Sequence, residues 1–96
     1  MQSPSRTRKE YETEVRSWGF GKVFTWTDAP NQYYTPHRHD EVTTHLITHG
    51  EMTITFPEDP KPTKTTYSVG QRIDVEAHRL HEVWIGANGC TMVIGE

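Results

Sequence analysis

Four of the chain's six histidines, His37, His39, His45 and His49, fall within thirteen residues. A neutral imidazole carries one nitrogen lone pair that suits a divalent transition metal. His37 and His39 are two apart, so on extended backbone both project to one face, where they can share an ion about 2 Å from each nitrogen. In the stretch that follows, Thr43, His45 and Ile47 share a parity, which makes His45 a candidate to point the same way, deeper in the fold. His49 has that parity too, but it directly precedes Gly50 and is expected to be exposed. Downstream, GQRIDVEAHRLHEVWIG carries His78 and His81, three apart and just ahead of a strand. Either could complete a metal site if the two stretches are neighbours in space.

The elements that must position these side chains are mostly strands. Residues 1–6 are expected to fray. Thr7 to Trp18 reads as a short helix, with Tyr11, Val15 and Trp18 at helical spacing, Glu12–Arg16 as an i,i+4 pair, and Gly19 and Gly21 as the stop. The chain then alternates in GKVFTWT up to a turn at DAPNQ. VTTHLIT and MTITF around Gly50–Glu51 read as a hairpin. PEDPKP is a loop, TKTTYSV a strand closed by Gly70, and QRIDVEA a short strand with Ile73 and Val75 on one face. HEVWIG and CTMVIGE follow, with Ala87-Asn88-Gly89 between them as a further hairpin turn. Six or seven short strands in about 75 residues, with no helix between them, predict an all-β sandwich or barrel. Residues 1–20 form the N-terminal segment and 21–96 the barrel.

Composition narrows the function. Ninety-six residues make one small domain, of which 32% are hydrophobic, with a mean hydropathy of −0.80. Ten aromatic residues, including Trp18, Trp26 and Trp84, supply much of the area that can be buried. A net charge of −3 favours no nucleic acid, and the four basic residues between Arg6 and Arg16 are offset by three glutamates. No apolar run approaches a membrane span of about 20 residues, and MQSPSRTRKE lacks the apolar core of a signal peptide. The single cysteine, Cys90, cannot form an internal disulfide and is expected to be buried and inert. These features place the expected protein in the cytoplasm.

The spacings resemble the two motifs of the cupin family. His37-Arg38-His39, three residues, Thr43, six residues and Gly50 fit the first motif. Gly70, five residues, Glu76-Ala77-His78, two residues and His81 fit the second. The resemblance spans about Lys22 to Glu96. It departs from the family at Asn31, in place of the opening Gly, at Glu76 and His78, in place of Pro and Gly, and at Ile85, in place of Asn. Most consequentially, Thr43 occupies the position of the family's Glu ligand.

The resemblance implies an antiparallel β-barrel of jelly-roll type with a short N-terminal helix, commonly dimeric. It also implies a divalent ion (iron, manganese, nickel, copper or zinc) held by His37, His39 and His81. The fourth position could be filled by His45, or by Glu41 if a turn swings its carboxylate inward, or by no protein ligand. Three-histidine cupins without the Glu include thiol dioxygenases and a diketone-cleaving dioxygenase. The implied activity is that of a small metalloenzyme, an oxygenase or an isomerase/lyase, acting on a small carbonyl- or enolate-bearing molecule. A non-catalytic ligand- or metal-binding module is the alternative. Tyr33, Thr43, His78 and Glu41 are the candidate substrate contacts: one of Tyr33 and Tyr34 is expected to line the pocket, and His78 to sit at its mouth. Trp84, of opposite parity to His81, should face away from the metal and pack on the N-terminal segment or a partner subunit. Glu82 should face outward.

Overall fold

The computed structural model describes residues 6–96, so the expected fraying of residues 1–6 falls almost wholly outside the described residues. One helix is followed by six strands: α1 (Arg8–Ser17), β1 (Val23–Asp28), β2 (Tyr33–His37), β3 (Thr43–Thr55), β4 (Thr65–Ser68), β5 (Arg72–Val75) and β6 (His81–Gly95). All pairings are antiparallel.

The two long strands organise everything else. β3 and β6 pair along nearly their whole length, and each half of that ribbon gathers its own flanking strands. In one half, β6 residues 81–84 pair with β2 and β3 residues 51–54 with β4. In the other, β6 residues 90–95 pair with β1 and β3 residues 43–46 with β5. Side chains from both halves line one cavity of about 330 Å³, among them Tyr34, Met52, Ile54 and Val83 from the first and Phe24, Trp26, His45 and Met92 from the second. The main core, which includes Ile47, Ile73 and Val75, supplies the cavity's apolar wall through Met52, Ile54, Val83, Ile85 and Met92.

Gly50 and Gly89 are bends within these strands, and this corrects both expected hairpin turns. VTTHLIT and MTITF are one thirteen-residue strand, and HEVWIG and CTMVIGE one fifteen-residue strand. The reason lies in the backbone contact between them. Gly50 (φ 72°) sits so close to Gly89 (φ 75°) that a Cβ on Gly50 would lie 2.0 Å from the Gly89 carbonyl oxygen. The register shifts on both sides of Gly50, and between its two paired runs β6 spends four residues, Gly86 to Gly89, against Glu51 alone. A glycine between alternating runs signals a positive φ, which a bulge uses as readily as a turn.

The helix forms as its sequence predicts. Thr7 caps it, with a reciprocal capping box to Glu10, and Trp18 closes it. Its apolar stripe covers the outer face of the second half-sheet: Val15 is fully buried against Leu46 and Val93, with Tyr11, Trp18 and Phe20 around them. Glu12 pairs with Arg8 at 3.2 Å instead of the expected Arg16, and it also accepts a 2.6 Å hydrogen bond from Thr25 Oγ1, which ties the helix to β1.

A Gly50→Ala substitution tests the bend. It forces a methyl group into a backbone oxygen at a left-handed φ, so it should cost more than about 3 kcal/mol in urea denaturation or prevent folding. Gly21→Ala, with nothing within 4 Å of the added Cβ, should change stability by less than about 1 kcal/mol.

Candidate metal centre

His37 and His81 meet because they are cross-strand partners in the β2–β6 ladder. Directly opposed residues hold their Cβ atoms about 5 Å apart, so the two rings necessarily touch; their centroids are 4.2 Å apart. His39 lies just past the end of β2, with its ring 5.1 Å from each of the other two. Its loop is tied down by backbone contacts: the His78 N–H donates to His39 O at 2.7 Å, and Arg38 donates to His78 O at 3.0 Å while gripping Glu58. The central residue of His-x-His thus works outward, clamping the loop that carries His39 to the loop that leads into His81.

The tautomers are set by backbone carbonyls. His37 Nδ1 lies 2.6 Å from Thr35 O and His81 Nδ1 2.9 Å from Arg79 O. A carbonyl only accepts, so in each neutral ring Nδ1 carries the proton and Nε2 keeps the lone pair. The ligand atoms of His37, His39 and His81 all lie within 4.8 Å of one another, and small rotamer changes would bring them to about 2 Å from a shared ion. Burial, reinforced by the two neighbouring imidazoles, holds the His81 pKa below its ordinary value, although its bond to Arg79 O opposes this. A ring kept neutral is a ring ready to ligate.

A second sign of fit is Thr43. Its hydroxyl is buried in the cavity wall with no hydrogen-bond partner among the described residues. A sealed, unpaired hydroxyl costs about 1–3 kcal/mol, and it sits in the wall of the same cavity that the three histidines line. Three neutral imidazoles fit iron, nickel, copper or zinc better than manganese, calcium or magnesium, which favour oxygen ligands.

The other expected site residues divide between the cavity and the surface. His45 lines the cavity but stands outside the three-histidine cluster, with Nδ1 a long 3.4 Å from Ile73 O. Its ring touches the cavity, yet protein surrounds most of it; the lost solvation pulls its pKa to about 4, with the other histidines contributing in the same direction. Glu41 is exposed in the loop before β3, and His49 is exposed. His78 is exposed at a positive φ of 64°, 3.8 Å from Asp40. Cys90 is fully buried, and burial pushes its thiol up to about 11.

Tyr33 lies on the outside, bonded to Glu82 and stacked on Trp84 with ring centroids 5.8 Å apart, while Tyr34 lines the cavity. Unbroken alternation from His37 would select Tyr33. Pro36 has no N–H to give the ladder, however, and the register slips by one residue between Tyr34 and His37. That bulge turns Tyr34 and His37 to the same side. Trp84 does face away from the histidines as expected, but it packs between Tyr33 and Lys64 (4.0 Å from the ring) and not on the helix. The residues that sequence reasoning missed are Tyr34's partners. Asp28 is only 5% exposed and accepts hydrogen bonds from Tyr34 Oη and from Trp26 Nε1 at 3.0 Å. The alternation of Phe24, Trp26 and Asp28 along β1 was the available signal.

Burial of His45 has a consequence for acid stability. Below about pH 6.5 the unfolded chain protonates this residue while the folded chain keeps it neutral down to about pH 4. Stability is therefore lost as pH falls through that window, by up to about 3 kcal/mol from this group. In chelator-treated protein, urea denaturation at pH 7 and pH 4 should show that loss in the wild type, and a pH dependence smaller by that amount in His45→Gln.

No protein-family model and no curated protein matches the sequence. Solved structures do match in fold. The cupin domain of Drosophila melanogaster CENP-C superposes with a TM-score of 0.66 at 12% identity, covering 77% of this chain and 59% of that one. A cupin superfamily protein from Desulfitobacterium hafniense gives 0.60 at 20% identity, covering 79% and 78%. A variant of Bacillus subtilis oxalate decarboxylase gives 0.66 at 14%, covering 75% of this chain and 19% of that one. The chain spans 57–62% of the length of the Drosophila chains it matches. Antiparallel strands folded about one cavity, together with structural neighbours that carry the fold's name, show that this chain has the cupin fold.

Proposed function

We propose that the protein is a metal-binding cupin that uses a divalent transition ion, held by His37, His39 and His81, to act on a small carbonyl- or enolate-bearing molecule. The observation that carries this reading is the convergence of three imidazoles, two with Nε2 freed by carbonyl bonds, at an otherwise largely apolar cavity. Bound there, the ion would supply Lewis acidity toward an oxygen ligand or a site for dioxygen. The chain's own contribution is to orient the His37 and His81 rings through Nδ1, to keep His81 neutral by burial, to limit water with the Met52, Ile54, Val83 and Ile85 wall, and to place the Thr43 hydroxyl in that wall. A cavity of about 330 Å³ is at the small end of the range for ligand pockets. His45 is the candidate for a fourth ligand or for a substrate contact; the exposed Glu41 would need its loop to move. We place the protein in the cytoplasm and expect a homodimer. No described helix is long and apolar enough to cross a membrane.

A non-catalytic module that binds a metal or a small ligand is the second reading. It is supported by one structural neighbour, Drosophila melanogaster CENP-C, whose structure is that of a complex with CAL1.

Elemental analysis of untagged protein decides between a metal centre and a bare barrel. About one transition ion per chain is expected, with affinity lowered more than about a hundredfold in His81→Ala. Absence of metal even after reconstitution would overturn the metal reading. Oxygen uptake or turnover of a small enolisable compound that stops on chelation would favour the enzyme. Tight reversible binding without turnover would favour the module.

A further inference from the structure

A buried carboxylate on the wall of the same cavity points to what else the ligand carries. Asp28 ends β1 and is 5% exposed, and its Oδ1 alone receives both Tyr34 Oη and Trp26 Nε1. Gln32 Nε2 donates in turn to Tyr34 Oη at 3.1 Å, which fixes the tyrosine. Among the described residues Oδ2 has no hydrogen-bond partner, yet it is not sealed from solvent. Among the described residues, no Lys, Arg or His nitrogen lies within 4 Å of this carboxylate.

Burying a carboxylate without a counter-charge is unfavourable unless something pairs with it. Two neutral donors on one oxygen orient the group without balancing its charge. Its field is felt nearby: after burial itself, Asp28 contributes to raising the Cys90 thiol. The neighbouring walls, Phe24, Met92 and Ile94, are apolar and supply no cation.

We propose that Asp28 anchors the ammonium end of the small molecule this cavity holds, with Tyr34 and Trp26 positioning its carboxylate so that Oδ2 faces the ligand. The ligand class is a small primary amine. If an oxygen at its other end ligates the metal, the two anchors fix its direction in the cavity. That second contact rests on the metal reading above, whereas the first does not.

The Trp26 indole N–H bonds directly to Asp28, so its proton–nitrogen resonance reports on this carboxylate. In the chelator-treated, isotope-labelled full chain, titration with n-butylammonium should shift that resonance saturably, while n-butanol and butyrate should not. Asp28→Asn keeps an oxygen to accept from Tyr34 and Trp26 but removes the charge, and it should weaken amine binding at least about tenfold. Tyr34→Phe should weaken it less and move the Trp26 resonance even without ligand. Equal responses to all three probes, no saturable response to the amine, or undiminished binding in Asp28→Asn would each overturn the proposal. Should Asp28→Asn fail to fold, the comparison of charged and neutral probes on the wild type decides alone. The titration is made without metal, so its failure leaves the elemental analysis standing, and the reverse also holds.

Discussion

The close approach of Gly50 to Gly89 is the constraint on which the rest of the molecule depends. Two long strands can pair along their length and still turn two half-sheets toward each other only if the ladder bends, and the bend brings backbone against backbone. A side chain at Gly50 would occupy the space of the Gly89 carbonyl. With the bend in place, residues at opposite ends of β3 and β6 face one cavity. Without it, the same pairing would give a single twisted sheet and no enclosed space between its halves.

The histidine centre is built on that frame by two independent devices. Cross-strand register places His37 against His81, and a hydrogen-bonded loop brings His39 alongside. Both devices are backbone features, so the cluster is pre-organised by the sheet and not by the ion alone. The carbonyls of Thr35 and Arg79 then choose the tautomer. Burial at His81 and His45 works toward the same end, because removing water penalises the protonated ring. At His81 this disfavours proton binding where metal binding needs a free lone pair.

Two polar groups in the cavity wall have hydrogen-bonding capacity to spare. Among the described residues, Thr43 offers a hydroxyl with no partner, and Asp28 offers a carboxylate that two donors orient and none neutralises. The remaining wall is largely apolar. Such a site rewards a small molecule whose polar atoms are few and well placed.

Much of this was legible in the residues themselves. Alternation, turn residues and the absence of internal helices established an all-β domain. Tyr11, Val15 and Trp18 gave the helix its buried face, and the resemblance of the histidine spacings to the two cupin motifs named the three clustered histidines. These are local properties, because a strand's period and a motif's spacing are written along the chain. Three things were decided only in the folded molecule. Glycine permits a positive φ without saying whether the chain reverses, so Gly50 and Gly89 read as hairpin turns until their mutual contact showed two bent strands. Parity holds only while the ladder is regular, so the bulge at Pro36 put Tyr34, and not Tyr33, in the cavity. Asp28 lies nine residues before the His-x-His motif and became part of the site only because β1 and β2 both pair with β6, a juxtaposition set by tertiary packing and not by sequence spacing.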